Sequence, residues 1–109
     1  APASAVVDSK LARLQRDYSQ YLRNERGLSA ATLRIYLPFI RRFLLACFGQ
    51  GSLDLEQLCV RDVNRFVLNQ ASKLGPARAK LMTTALRSFF RFLQQRGDLT
   101  VCLAAAVPT

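Results

Sequence analysis

Residues 76–97 of this 109-residue chain have the sequence PARAKLMTTALRSFFRFLQQRG. On a helical wheel at about 100° per residue, this stretch gathers its apolar side chains on one half. That half consists of Ala79, Met82, Leu86, Phe89, Phe90 and Leu93. Pro76 suits the first turn of a helix, and Gly97 suits the position just after its end. The pattern predicts a long amphipathic helix from Ala77 to Arg96 that packs one face into a core.

The opposite half of this helix carries a narrow polar stripe with no acidic residue. The stripe is formed by Lys80, Thr84, Arg87 and Arg91, with Thr83 beside it. Arginine and lysine neutralise phosphates, and threonine can bond phosphates or base edges. An ordinary solvated face is the alternative, but such faces usually mix charges of both signs. We therefore expect these five residues to contact DNA, with Arg87 as the main contact to a base.

A second stretch, residues 28–48, is also devoid of acidic side chains. It contributes +3 and residues 76–96 contribute +5, so the two stretches hold +8 of the formal net charge of +9. An even spread of charge would suggest solubility alone. Its concentration on two amphipathic segments predicts a surface that meets a polyanion.

The stretch 28–48 predicts a second helix from about Ala30 to Phe48. Ser29 is placed to cap it. Arg34 and Arg41 are seven residues apart and lie on one line of the helix, whereas Arg42 does not. Thr32 lies in the first turn, where backbone N–H groups and the helix dipole favour a phosphate. For Thr32, capping and phosphate contact are equally good interpretations, and Thr32, Arg34 and Arg41 join the predicted DNA contacts.

The remaining pattern is helical as well, with no convincing strand. Asp8 or Ser9 can cap a first helix that runs to about Arg26 and stops before Gly27. A short helical turn is expected at 55–58 and a third helix from about Arg61 to Ser72. We expect an all-α chain with a disordered segment at 1–8, one helical domain at 9–98 and an exit segment at 99–109.

The composition gives little support for a metal or cofactor site. The chain has no histidine, and its three cysteines are odd in number and widely spaced. The sequence therefore predicts no zinc site, and we expect no metal and no cofactor. Reduced, mostly buried thiols fit a cytoplasmic protein. No apolar run approaches the roughly 20 residues of a membrane span, so no membrane contact is expected.

Catalysis by this stretch of chain is not expected either. Tyr18, Tyr21 and Tyr36 lie on or beside apolar stripes, and no general base lies near them in the sequence. Aromatic residues at helical spacing usually pack in a core. We expect no catalytic residue here.

Two alternative functions come from other features. Ile35, Phe39 and Leu45 point away from the apolar face of the second helix, which would suit a helical module that docks a protein partner. A helix-turn-helix regulator is the weaker alternative, because no short helix pair with a three- or four-residue turn stands out.

Two segments resemble the N-terminal domain of tyrosine recombinases, the family of phage integrases and Xer-type enzymes. The first comprises Tyr21-Leu22, Arg26-Gly27-Leu28-Ser29, Thr32, Tyr36 and Phe43-Leu44. The second is the run Ala85-Leu86-Arg87-Ser88-Phe89-Phe90-Arg91-Phe92-Leu93, closed by Gly97. The similarity covers roughly residues 10–105. At the position where the family usually has Asn-Pro, this chain has Cys102-Leu103.

The resemblance implies a four- to five-helix, SAM-like orthogonal bundle called the core-binding domain. In that family the second and fourth helices approach the major groove, and sibling protomers assemble on double-stranded DNA. Catalysis belongs to a separate C-terminal domain, which is absent from this sequence. The implied role is to position the full-length enzyme on its site during DNA integration or recombination. The implied source is a bacterial or phage-derived mobile element, acting in the cytoplasm at the nucleoid.

Overall fold

Four α-helices make up most of the chain. The computed structural model describes residues 2–49, 54–99 and 103–107, with side chains described from Lys10 onward. The helices are α1 (Pro2–Asn24), α2 (Ala30–Phe48), α3 (Val60–Ala71) and α4 (Pro76–Arg96), with short 3₁₀ helices at Leu55–Gln57 and Leu103–Ala106. The described residues contain no β-strand, which confirms the predicted all-α class.

The chain divides into two compact units, Ala1–Asp54 and Leu55–Thr109. The first unit holds α1 and α2, and the second holds α3, α4 and both 3₁₀ helices. Each unit has its own packed helices and is described by itself below. The domain boundaries at residues 9 and 98 stay a prediction.

In the first unit, α1 begins earlier than its sequence suggested. Its backbone is helical from Pro2, so the prediction of a disordered segment before a cap at Asp8 or Ser9 was wrong for the described residues 2–8. Ala1 lies outside the described residues. The small residues of this segment allow a helix, and proline is compatible with a first turn. Gly27, with φ of 63°, follows the helix end as predicted.

Helix α2 has the predicted bounds because both of its ends are marked locally. The Ser29 hydroxyl oxygen accepts a hydrogen bond from the Thr32 backbone N–H at 3.3 Å, which confirms Ser29 as the N-cap. At the other end Gly49 takes φ of 55°, and its N–H donates to the Leu45 carbonyl at 2.8 Å. These two caps confine the helix to 19 residues.

The packing of α1 against α2 buries apolar side chains of both helices. The buried residues are Leu11, Leu14, Tyr18 and Leu22 on α1, and Leu33, Phe39, Ile40, Phe43 and Leu44 on α2. The prediction that Phe39 points outward was wrong, since it is only 2% exposed. Ile35 and Leu45, at 44% and 39%, are exposed as predicted.

Pro38 lies inside α2 and is exposed. A proline at this position has no N–H to donate to the carbonyl of Arg34, four residues earlier. One residue before it, the Leu37 carbonyl accepts a hydrogen bond from the Gln15 side-chain amide of α1 at 3.2 Å. A side chain of α1 therefore holds the α2 backbone one residue before Pro38, where a helical hydrogen bond is missing.

We predict that Pro38→Ala stabilises the chain by about 1–3 kcal/mol, because it restores a helical hydrogen bond without removing a buried side chain. Urea denaturation followed by far-UV circular dichroism measures the free energy of unfolding. Pro76→Ala is the matched control: proline in a first turn costs little, so we expect a change below about 0.5 kcal/mol. A loss of stability in Pro38→Ala would contradict this account.

In the second unit, α4 begins and ends within one residue of the predicted bounds. Gly75 caps it, Pro76 is its first residue, and Gly97 adopts a left-handed conformation with φ of 87°. The Gly97 N–H donates to the Gln94 carbonyl at 3.1 Å, and the Asp98 N–H donates to the Leu93 carbonyl at 2.9 Å. These two bonds form a Schellman motif, which uses carbonyls that the helix end would leave unpaired.

The core of the second unit is built on α4, with α3 and the 3₁₀ helix at Leu103–Ala106 packed against it and each other. Its apolar buried residues on α4 are Met82, Ala85, Leu86, Phe89, Phe90, Phe92 and Leu93. The C-terminal stretch was predicted only as an exit segment. Leu99, Leu103, Ala104 and Val107 are buried, and the 3₁₀ helix contacts α3 and α4. Residues 100–102, which include the Cys102 of the family comparison, and 108–109 lie outside the described residues.

The N-terminus of α3 uses an exposed cysteine. The Asp62 carboxylate accepts the Cys59 backbone N–H at 3.2 Å and the Cys59 thiol at 3.4 Å. The helix spans Val60–Ala71, one residue earlier at each end than predicted. The expectation of mostly buried thiols was wrong for Cys59, which stays exposed because it sits at a helix cap.

Candidate nucleic-acid interface

The polar stripe of α4 lies along one side of the helix, as its spacing requires. Lys80, Thr84, Arg87 and Arg91 follow each other at intervals of four, three and four residues within one unbroken helix. Lys80 and Arg91 are exposed, whereas Thr84 and Arg87 are half-buried. We call these four residues the α4 face. At 1.5 Å of rise per residue, its two exposed ends lie about 16 Å apart along the helix axis.

The hydroxyls of the two threonines of α4 turn inward to the same backbone carbonyl. Both Thr83 and Thr84 donate to the Lys80 carbonyl at 2.9 Å. Thr83 is only 9% exposed, so its side chain is not available to a ligand at the surface. We therefore correct the predicted set by removing Thr83, which acts within the helix itself.

The positive charge of α4 is not uniform along the helix. No acidic residue occurs between Pro76 and Arg96. At the C-terminal end, however, the Nε atom of Arg96 lies 2.9 Å from an oxygen of the Asp98 carboxylate. The Arg96 guanidinium also lies 5.1 Å from the centre of the Phe92 ring, in cation–π range. Arg96 therefore interacts with groups at its own end of the helix.

On α2 the predicted residues lie in the first compact unit. Arg34 and Arg41 are exposed and share one line of the helix, which we call the α2 face. Arg42 is exposed as well but lies off that line. Thr32 is half-buried, and its hydroxyl lies 3.2 Å from the Ser29 hydroxyl. Thr32 thus takes part in the cap, and its contact with a phosphate stays a prediction.

Exposed apolar side chains on α3 were missed by the sequence reasoning. Leu68 is 73% exposed and Val60 is about half exposed. The helical period did contain the signal, since Leu68 lies off the side of α3 that carries the buried residues Val63, Phe66 and Val67. These side chains form no part of the two faces.

The described tyrosines lie on α1 and α2. Tyr18 is fully buried and stacks on Tyr21 with ring centres 6.4 Å apart, which confirms its packing role. Tyr36 is half-buried on α2. Among the described residues, no group of three or more histidine, cysteine, aspartate or glutamate side chains could hold a metal ion. Nor does that part of the chain include a helix with the length and apolarity to cross a bilayer.

Comparison with known proteins identifies a family for this chain. Residues 16–97 match the family described as the phage integrase N-terminal SAM-like domain. An integrase/recombinase of Sinorhizobium fredii is 48% identical over 91 residues, which are 84% of this chain and 22% of that protein. The tyrosine recombinases XerC of Lactobacillus delbrueckii and Salmonella typhi are 31% and 37% identical, over 77% and 75% of this chain. No solved structure matches significantly.

The chain therefore belongs to the phage integrase N-terminal SAM-like domain family. This membership confirms the predicted resemblance to tyrosine recombinases and, with the all-α fold, the SAM-like assignment. It also argues against the alternative of a helix-turn-helix regulator. The chain spans only about a quarter of the length of these relatives, namely 22% to 29%.

Proposed function

We propose that this chain is the DNA-binding, core-binding domain of a tyrosine recombinase or integrase, and that it positions the whole enzyme on its recombination site. The α4 face is the observation that carries this proposal. The α4 face has an exposed cation at each end, and its helix has no acidic residue. This charge distribution favours a polyanion as the binding partner over a partner of mixed charge. Relatives named as recombinases support DNA as that polyanion.

The dimensions of the α4 face fit the major groove. The groove is about 12 Å wide and admits one α-helix. Lys80 and Arg91, about 16 Å apart along the axis, could reach phosphates on its two sides. Thr84 and Arg87, which are half-buried between them, then face the base edges. The α2 face would add phosphate contacts through Arg34 and Arg41.

Strand breakage and rejoining would belong to other parts of the same protein. The relatives are about four times as long as the stretch that matches them. We therefore assign binding and orientation to this chain, and catalysis to a C-terminal domain of the parent enzyme. Sibling protomers on the same DNA would be further partners. In this proposal the domain needs no metal or cofactor of its own.

The first prediction concerns the salt dependence of DNA binding. Each phosphate that a cation neutralises contributes about −0.9 to the slope of log K against log salt. We expect Lys80→Gln and Arg91→Gln each to make that slope shallower by about one. Fluorescence anisotropy of a labelled random-sequence duplex, between about 50 and 200 mM salt, measures the slope.

Two matched controls separate the α4 face from charge in general. Lys73→Gln removes an exposed cation that lies outside α2 and α4, and Arg96→Gln removes one that pairs with Asp98. Both should change the slope by much less than Lys80→Gln. Equal effects of all four substitutions would show that only net charge matters and would contradict the proposed interface.

The second prediction concerns the α2 face. Arg34→Gln and Arg41→Gln should each reduce the salt slope, because their side chains are exposed along one line of the helix. Arg42→Gln is the matched control, since it removes the same charge from the same helix but off that line. An equal loss for Arg42→Gln would remove the α2 face from the interface.

The third prediction concerns Arg87 as the main contact to a base. Arg87→Ala should cost about 1–3 kcal/mol of binding to a duplex selected by the wild-type chain, and less on random sequence. Far-UV circular dichroism should show the fold intact. Unchanged affinity of both Arg87→Ala and Arg91→Ala at low salt would overturn the assignment of the α4 face.

A second candidate function is docking of a protein partner on α2, because Ile35 and Leu45 are exposed apolar residues there. Phe39 no longer supports it, since that side chain is buried. Chemical-shift mapping by NMR distinguishes the two functions. Shifts on addition of duplex DNA should centre on Lys80, Arg87 and Arg91, whereas a docking module would leave them unchanged.

A further inference from the structure

The direction of the Thr84 hydroxyl restricts what this residue can bind. Its oxygen lies 2.9 Å from the Lys80 carbonyl oxygen. In this arrangement the Thr84 hydroxyl is the donor to that carbonyl, and its single proton then points into the helix. The outer side of that oxygen then offers lone pairs alone. Phosphate oxygens also only accept, and two acceptors cannot bond each other.

Thr84 is nevertheless placed among the proposed DNA contacts. It is half-buried and lies between Lys80 and Arg87 on the α4 face. A residue at the middle of this face would meet the groove rather than the backbone. There the partner must be a donor, and the exocyclic amino groups of adenine and cytosine are the donors that bases present in the major groove.

We propose that Thr84 is a specificity-determining residue that accepts a hydrogen bond from an adenine or cytosine amino group at one position of the contacted strand. This proposal rests on the proposed function of the α4 face. Guanine or thymine at that position would present a carbonyl oxygen, which Thr84 cannot bond. The residue therefore discriminates amino from keto bases and makes no phosphate contact.

The test is selection of bound duplexes from a randomised pool by the 109-residue chain, followed by sequencing. The wild-type chain should retain adenine or cytosine over guanine or thymine at one position by about two- to tenfold, the range of one net hydrogen bond. Thr84→Val, which removes the hydroxyl but keeps the branched shape, should lose that preference. Its affinity for the selected duplex should fall by about two- to tenfold, and its salt slope should stay unchanged because threonine carries no charge. Thr84→Ser, which keeps the hydroxyl, should retain the preference.

Thr83→Val is the matched control. It removes a hydroxyl bonded at the same distance to the same carbonyl, but from a side chain that is buried. Any effect through the shape of the helix should be common to both valine variants. Retention of the preference in Thr83→Val supports direct contact by Thr84, and its equal loss in both variants overturns the proposal.

A change in the DNA provides a test that needs no protein variant. On the selected duplex, the nucleoside of purine replaces adenine, or that of pyrimidin-2-one replaces cytosine, and deletes only the amino group. Wild-type binding should weaken by about two- to tenfold. Unchanged binding overturns the proposal, and so does a Thr84→Val variant that weakens binding to all duplexes alike while it keeps the base preference, the mark of a phosphate contact.

Failure of the underlying function has a different signature. If Lys80→Gln and Arg91→Gln bind DNA with the same salt slope as the wild-type chain, the α4 face does not contact DNA. Both proposals are then wrong. If those variants reduce the slope but Thr84→Val keeps the amino-base preference, only the assignment of Thr84 is wrong.

Discussion

Burial of the phenylalanine-rich side of α4 fixes the rotation of that helix about its own axis. Phe89 and Phe90 are neighbours in sequence, about 100° apart around the helix, and both are fully buried. Rolling the helix would expose one of them and cost about 1.5–3 kcal/mol. The outward direction of Lys80 and Arg91 is therefore set by side chains on the opposite side. Those cations contribute nothing to the core, yet the core decides where they point.

Several charges on α4 work against the stability of that helix, although Arg96 in its last turn is favourable. Arg78 and Lys80 lie near the N-terminus of α4, where the helix dipole disfavours cations. Arg87 and Arg91 are a like-charged pair four residues apart, which costs a few tenths of a kcal/mol. Helix α2 likewise has no acidic residue in its first turn and no basic residue in its last. Unfavourable charges such as those of α4 are expected at functional sites, where local rules of helix stability are often broken.

The parts of the fold that could be predicted from sequence are those with a local chemical cause. Ser29, Pro76 and Gly97 mark helix ends through a side-chain acceptor, a missing N–H and a left-handed backbone. These residues locate the ends of α2 and α4 to within one residue. The start of α1 has no comparable mark. A capping preference at Asp8 or Ser9 is weak against a continuous run of residues that tolerate a helix.

Burial of single side chains could not be predicted in the same way. A helical wheel ranks Phe39 and Thr83 by angle alone, whereas their exposure depends on what packs beside them. The direction of a hydroxyl proton is harder still, because it depends on a carbonyl one turn away. In a loop or strand, Thr84 could donate to a phosphate. In α4 the Lys80 carbonyl takes that proton, so the backbone changes the residue from a donor into an acceptor. The hydrogen bonds that this threonine can make are therefore set by the helix as well as by the residue type.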